Sequence, residues 1–450
     1  MLQGTVSCAP VIAMRAASSR SMLATPRIAR RSFATAGGDH LSRILPTKRP
    51  TTPLNHSYRP LDFVDFRSDT ATHPDPPMLA SMISSSMGDD VLGEDGDTKL
   101  LERTVADFLG KDAACFVVSG SMANQLAVAA HLVPWGRLPT TVVVDARSHI
   151  WKWEAGGVSF LSGATVIPVL PSEPSEPSRW SHLDASDVSQ ALIRDESDTH
   201  VAPTRLVCVE NTLDGTGLHN FTSSTILPRT ASHPYPHLPV HLDGARLWNA
   251  KIKRLLGDYG ATVDSASLCF SKGLGAPIGS VLTGSEEFIG RVRRLRKVIG
   301  GGWRQSGPLA SACLHSLKSS LPGLHYDHFA ASSLAAQLST LGSSSSTSSL
   351  VRLAAPTQTN MVWADLGRLL ASANESSGRA VSGTTGTAEE RGKLTADDWA
   401  RHMWERRRVR VGTGYGDKGE VVRLVVHKQN REAVGEVVEG LKEWAEMVVG

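Results

Sequence analysis

The sequence predicts an α/β protein: a large, doubly wound domain with a mostly parallel sheet, followed by a smaller C-terminal α+β domain. Three observations lead there. From Thr140 onward, short β-rich runs (TTVVVDA, ATVIPVL, RLVCVEN, PVHLDGA, SLCFSK, GSVLTG) are separated by helical or loop segments, the alternation that a layered sheet with helices on its faces requires. The length of 450 residues suits a large and a small domain with appendages. With 41% hydrophobic and 20% charged residues, the composition is that of an ordinary globular chain. No apolar run approaches the ~18 residues of a membrane span, and a net charge of +3 is too slight to argue for nucleic acid.

In chain order, residues 1–38 carry Arg15, Arg20, Arg27, Arg30 and Arg31, many Ser and Ala, and no Asp or Glu. That composition predicts a mitochondrial transit peptide. In that compartment the sequons at Asn55, Asn220 and Asn374 carry no meaning. Residues 39–62 are proline-rich and read as an arm. The large domain is expected over 63–320, with helices at Pro77–Ser86 and Thr98–Leu109 on the spacing of Met78, Met82 and Ile83 and of Leu101, Val105 and Phe108. Glu287–Val298 is a basic helix leading into Gly300-Gly301-Gly302-Trp303-Arg304; alone, such a run is a solvated face. The small domain, 321–450, is interrupted by Ser/Thr/Gly-rich stretches at 342–349 and 372–388, read as disordered loops. Gly412–Gly416 lacks the flanking strand and helix of a phosphate loop and reads as a hairpin turn. Cys8, Cys115, Cys208, Cys269 and Cys313 show no CxxC spacing, and those inside apolar runs read as buried thiols. His233, His237 and His241 stand among prolines and suggest a loop, not a metal site.

Three strand ends carry chemistry. Lys272 closes the apolar run of Ser265–Phe270 and is followed by Gly273, Gly275, Pro277 and Gly279; a lysine in such a place, stripped of water, is a Schiff-base nucleophile. Asp243 ends the preceding strand, where a carboxylate can hold a pyridine nitrogen protonated. Earlier, Cys115–Val118 runs into Ser119-Gly120-Ser121 and a helix, making an anion cradle. Ligands in such a fold belong at the carboxyl ends of the strands.

Cradle, ring aspartate and lysine in this order, within DFRSDTATHP from Asp65, MGDDVLGED from Met87, SGSMANQ from Ser119, HIWKWEAGG from His149, VENTLDG from Val209, HLDGARLWNA from His241, CFSKGLGAPIGSVLTG from Cys269, RLRKVIGGGWRQSG from Arg294 and VVRLVVH from Val421, resemble the threonine aldolase family of the β-eliminating lyase group. The resemblance implies the aspartate-aminotransferase-like fold (fold type I) and pyridoxal 5'-phosphate as cofactor. It implies cleavage of a β-hydroxy-α-amino acid to glycine and an aldehyde; another β-eliminating lyase, or a cofactor-binding homologue with little catalysis, is the alternative. It implies Lys272 as the cofactor lysine, Asp243 on the ring nitrogen and Gly120, Ser121 and Arg304 on the phosphate. His149 is implied stacked on the ring and able to take the hydroxyl proton. Arg246 and Arg423 are implied as a bidentate carboxylate clamp assisted by Ser68, Arg246 also lying against the cofactor. Lys297 and Arg304 are implied to act across the interface of a homodimer or homotetramer. Two positions depart from the family pattern: Leu213 stands where histidine is usual and Leu92 where tyrosine is usual. Both are expected on the substrate's β-carbon side, which predicts a preference for bulkier apolar substrates.

Overall fold

The computed structural model describes residues 62–449 apart from 137, 172–182, 184, 214–237, 251–255, 343–348 and 378–392. The transit-peptide and arm assignments, Cys8, His233 and His237 lie outside these residues.

Seven strands form the large sheet: β1 (Ala113–Val117), β2 (Thr141–Asp145), β3 (Thr165–Val169), β4 (Thr204–Glu210), β5 (Val240–Gly244), β6 (Ser265–Cys269) and β7 (Ser280–Gly284), in spatial order β1-β7-β6-β5-β4-β2-β3. Pairings from β3 through β6 are parallel, while β7 runs antiparallel to both its neighbours. The runs are apolar without strict alternation because both faces are covered. In β2, Val143 joins one core with Val207, Leu242 and Leu268, while Val142 and Val144 point into another with Leu206 and Cys208. Successive side chains thus go to opposite faces, as the pleat demands.

The first face is closed by α1 (Pro76–Ile83) and α2 (Gly96–Leu109), which pack with Met78, Leu101, Val105 and Leu109. Asp75 and Asp95 cap them by accepting from the N–H groups of Met78 and Thr98, and Gly110 (φ 60°) ends α2 in the left-handed conformation that a Cβ disfavours. On the other face lies α3 (Gly120–Leu132), started by Ser119, whose Oγ accepts from the N–H of Met122. It packs against α4 (Glu286–Val298) through Leu126, Ala127, Phe288 and Val292. Cys115, Cys208, Cys269 and Cys313 are buried free thiols; burial pushes the Cys115 thiol up to about 12.

The second core is built on an antiparallel sheet in which β8 (Met361–Asp365) pairs with Arg352–Leu353 and with β10 (Val421–Val425), and β10 with β9 (Gly412–Tyr415). Trp399 and Trp444, from helices Ala396–Arg407 and Val434–Val449, fill it. Three details differ from expectation. The Gly412–Gly416 run is itself a strand up to Tyr415, with the turn beyond it at Gly416 and Gly419, both at positive φ. Residues 372–377, read as loop, belong to the helix Gly367–Ser377; the rest of that stretch is undescribed. The run from Phe63 packs into the second core and not the first: Val64–Asp65 pairs in parallel with Val409–Arg410, and Phe66 is buried there.

Candidate active site

Because β1, β2, β4, β5 and β6 run parallel, their carboxyl ends fall on one edge, which brings Ser119, His149, Thr212, Asp243 and Lys272 to the same side of the sheet. The second sheet contributes β8–β10 opposite. Between them lies a cavity of about 650 Å³ whose wall includes His149, Lys272, Arg246 and Ser68 on one side and Trp363, Tyr415 and Arg423 on the other. Five residues expected at the site (Ser68, His149, Arg246, Lys272 and Arg423) therefore line one space.

Lys272 is half-buried after the strand end, in a turn held where its carbonyl accepts from Thr72 Oγ1 at 2.6 Å and from the N–H of Gly275 at 2.7 Å. Asp243 is 3% exposed. Its Oδ1 accepts from the N–H of Ala245 (3.0 Å) and its Oδ2 from Asn124 Nδ2 (2.7 Å), which leaves acceptor capacity on a carboxylate with about four lone-pair sites. His149 donates its backbone N–H to Glu210 (2.6 Å) and faces Glu154 Oε1 with Nδ1 at 3.0 Å. The hydrogen bond to Glu154 holds the imidazole's proton affinity above its ordinary value, with Asp243 and Glu210 adding to it and partial burial opposing it. One ligand atom each from His149, Glu154 and Asp243 lies within 4.8 Å of the others, a spacing a cation could use. Amide N–H groups of Asn124 (2.9 Å) and Gln125 (2.6 Å) already occupy Glu154, so the cluster reads as a device for holding a proton.

Arg246, expected in the carboxylate clamp and against the cofactor, lines the cavity and also holds a partner within the chain. Its Nε and Nη2 donate to the two oxygens of Asp69 at 2.9 and 2.7 Å, so the edge of the fork meant for a substrate carboxylate is engaged within the chain. Burial pushes Asp69 up, but Arg246 and Lys272 outweigh it and hold the carboxyl down to about 2. Burial also opposes the charge on Arg246, and Asp69 more than offsets that, raising the guanidinium above its usual range. Arg423 is freer: it donates to the carbonyl of Arg67 (2.9 Å from Nη2) and lies 5.1 Å from the Tyr415 ring centroid.

Gly120 and Ser121 open α3 away from the cavity wall, at the same edge of the sheet. Beside them, Ser280 Oγ is fully buried with no hydrogen-bond partner, 3.8 Å from where a Cβ on Gly120 would stand. Together with the N–H groups that begin a helix, it forms a donor set awaiting an acceptor. A phosphate there, a pyridine nitrogen at Asp243 and a carbonyl carbon at Lys272 match these donors, acceptor and amine, so the residues present fit a phosphorylated pyridine aldehyde.

Lys297 and Arg304 are not brought to the cavity. Lys297 is exposed at the end of α4, and Arg304, with a side chain 74% exposed, pairs with Asp89 at 2.5 Å. Leu213 is buried and lines the cavity, as expected. Leu92 does not: it is 70% exposed in the loop beside Asp89. Sequence reasoning missed Asn124, Glu154, Asp69, Thr212 and Tyr415. Four of them, Asn124, Glu154, Asp69 and Thr212, stand inside the quoted motifs, which is the one signal that could have pointed to them.

The family model described as "Beta-eliminating lyase" matches residues 65–366. The probable low-specificity L-threonine aldolase of Schizosaccharomyces pombe is 39% identical over 307 residues, covering 68% of this chain and 76% of that one. Aldolase vrtJ of Penicillium aethiopicum is 43% identical over 306 residues, 67% of this chain and 74% of that one. In three dimensions the threonine aldolase of Leishmania major superposes with a TM-score of 0.63 at 19% identity, covering 85% of this chain and 99% of that chain, which speaks for the fold.

Proposed function

The chain belongs to the β-eliminating lyase family, and on that premise we infer a pyridoxal-phosphate-dependent carbon–carbon lyase that cleaves threonine-type β-hydroxy-α-amino acids to glycine and an aldehyde. The observation that carries the reading is the pairing of Lys272 with buried Asp243 at the ends of adjacent parallel strands, beside a cavity that also holds His149 and Arg423.

When bound, the cofactor supplies an electron sink for the pair left by Cα–Cβ cleavage. Lys272 would hold it by its carbonyl carbon and Asp243 by the ring nitrogen, with Gly120, Ser121 and Ser280 at the phosphate. Asp243, fixed by Asn124 and the N–H of Ala245, would be the acceptor for the ring nitrogen. His149, with Nδ1 turned to Glu154, has Nε2 left to accept the β-hydroxyl proton in its neutral form, and the carboxylate behind it stabilises the cation that results. Arg423 is the guanidinium placed for the substrate carboxylate, while Arg246, locked to Asp69, supplies fixed positive charge. Leu213 lines the wall without a polar group, which favours a larger apolar β-substituent over methyl.

The active unit in this reading is a homodimer or homotetramer in which Lys297 and Arg304 complete a partner's site. Their exposure outside their own cavity, on a face that also carries exposed Leu92 and Val298, supports it. The mitochondrial matrix is the proposed location, supported by the acid-free, arginine-rich residues 1–38 and testable with a fluorescent fusion of that segment. No helix among the described residues is long and apolar enough to cross a membrane, and no feature argues for nucleic acid. The deciding experiment is a screen of purified protein, with pyridoxal phosphate added, for aldehyde release from a panel of β-hydroxy amino acids. Release from none of them, or pyruvate or ammonia in place of glycine, sinks the aldolase reading.

A further inference from the structure

Asp243 and Glu154 lie on different segments, yet one side chain touches both. Asn124 Nδ2 donates to Asp243 Oδ2 at 2.7 Å and to Glu154 Oε1 at 2.9 Å, and Asn124 is 1% exposed. Its other atom, Oδ1, meets Ser267 Oγ at 3.0 Å and His241 Nε2 at 3.2 Å. His241 Nδ1 lies 2.9 Å from Ser265 Oγ, which lies 2.7 Å from His131 Nε2. Asn124 and His131, seven residues apart on α3, share one helix face, and His241 and Ser265 are register partners on β5 and β6.

Donor and acceptor counting gives this chain a direction. Carboxylates only accept, so the Asn124 amide must present its NH2 to Asp243 and Glu154 and its oxygen to His241. His241 must then carry its proton on Nε2. A neutral ring leaves Nδ1 to accept from the Ser265 hydroxyl. With its one hydrogen committed there, Ser265 can only accept from His131, which is protonated on Nε2 in turn. Burial pulls both histidines well below their ordinary value, His131 to about 3 and His241 to about 4, so both rings are neutral at physiological pH.

We propose that Asn124 is a positioning residue: it clamps Asp243 and Glu154, and through Glu154 the imidazole of His149, into one array that His241, Ser265 and His131 support from behind, with the hydrogen-bond direction set by the two carboxylates. The two groups that must keep a fixed relation during the reaction, the ring carboxylate and the proton-accepting imidazole, are thereby held by a single amide. Such supporting partners commonly change ligand affinity by roughly 10–100-fold when removed. The inference rests on the reading of Asp243 and His149 given above.

The test uses holoenzyme and follows loss of the visible absorption band of bound pyridoxal phosphate on dilution, with circular dichroism to check the fold. Asn124→Leu, close in size and without hydrogen bonds, is expected to release the cofactor at least ~10-fold faster than wild type. His241→Gln, whose amide still donates toward Asn124 Oδ1, is expected within about threefold of wild type, while His241→Leu approaches Asn124→Leu. Solid-state nitrogen-15 spectra of histidine-labelled wild type should show His241 neutral with its hydrogen on Nε2. Release from folded Asn124→Leu within about twofold of wild type overturns the proposal, as does His241→Gln behaving like His241→Leu. If Asn124→Leu does not fold, the His241 pair and the tautomer decide, and the opposite tautomer or a charged ring overturns it. A wild type with no absorption band even after pyridoxal phosphate is added overturns the reading of the site itself. A normal band with unchanged release in the variants overturns this inference alone.

Discussion

The floor of the cavity and the apron formed by residues 87–93 and 297–304 are built on opposite plans. On the floor, behind the side chains that line the cavity, Asp243 and Glu154 are buried and both accept from buried Asn124 within one chain. On the apron, Leu92 and Val298 are 70% and 80% exposed, and the Arg304 side chain pairs with Asp89. A buried polar array tolerates no missing partner; an exposed apolar and cationic rim acquires its purpose from what covers it. The floor is finished by one chain, whereas in the proposed oligomer the apron is covered by another.

The largest expected effect breaks the floor. Lys272→Ala should lower turnover by at least ~1,000-fold, since it removes the amine on which the chemistry depends. Borohydride reduction of wild type followed by peptide mapping should find the cofactor on Lys272; finding it on Lys297 would end the assignment. Mixing Lys272→Ala with an equally inactive Arg304→Ala chain sharpens the comparison, because subunits that exchange should regain activity if apron and floor come from different chains. Exchange shown by mass spectrometry without recovery sinks the shared site.

Next comes a contrast within the apron. Arg296, behind the exposed loop, donates to Asp90 and to the carbonyl of Phe116, both at 2.6 Å, and is 4% exposed. Arg296→Ala strands a buried carboxylate and should cost about 3–5 kcal/mol in denaturant unfolding. Arg304→Ala, its exposed counterpart on Asp89, should leave the melting temperature unmoved. Equal losses would erase the distinction between the two arginines.

The floor also predicts acid sensitivity. His131 and His241 titrate at about 3 and about 4 in the folded chain because burial disfavours their charged forms. As pH falls below ~6.5, the unfolded chain binds protons that the folded one refuses. Stability should therefore drop between about pH 6.5 and 4, by up to roughly 1.4 kcal/mol per pH unit for each ring. His241→Gln should flatten that slope in urea titrations; an unchanged slope would mean another group is responsible.

The smallest effect concerns Leu213. Restoring a polar group with Leu213→His should shift the ratio of kcat/KM for allo-threonine over β-phenylserine by about tenfold toward allo-threonine. An unmoved ratio would remove Leu213 from the specificity argument.

What was legible in the sequence follows the same division. Val142–Val144 and Leu206–Cys208 announced strands because both sheet faces are buried. Asp243 and Lys272 announced themselves because each ends such a run beside small residues. The partners of these residues were silent: Asn124 reaches Asp243 across 119 positions and Asp69 reaches Arg246 across 177, and nothing local encodes either meeting. Val64–Asp65 is too short to show periodicity, which hid the small-domain allegiance of Phe66. Leu92 stands outside its own chain's cavity, because a motif gives a neighbourhood without saying whose cavity it serves.

That N-terminal run has a mechanical consequence. Phe66 is rooted in the small domain's core, whereas three residues on, Asp69 grips Arg246, and Thr72 grips the carbonyl of Lys272. From Phe66 to Asp69 the chain can span at most about 3.3–3.6 Å per residue, and Ser68 within it is already extended. The run works as a taut strap between the two lobes, and any rotation that parts them must pull on the turn carrying Lys272 before the cavity can widen.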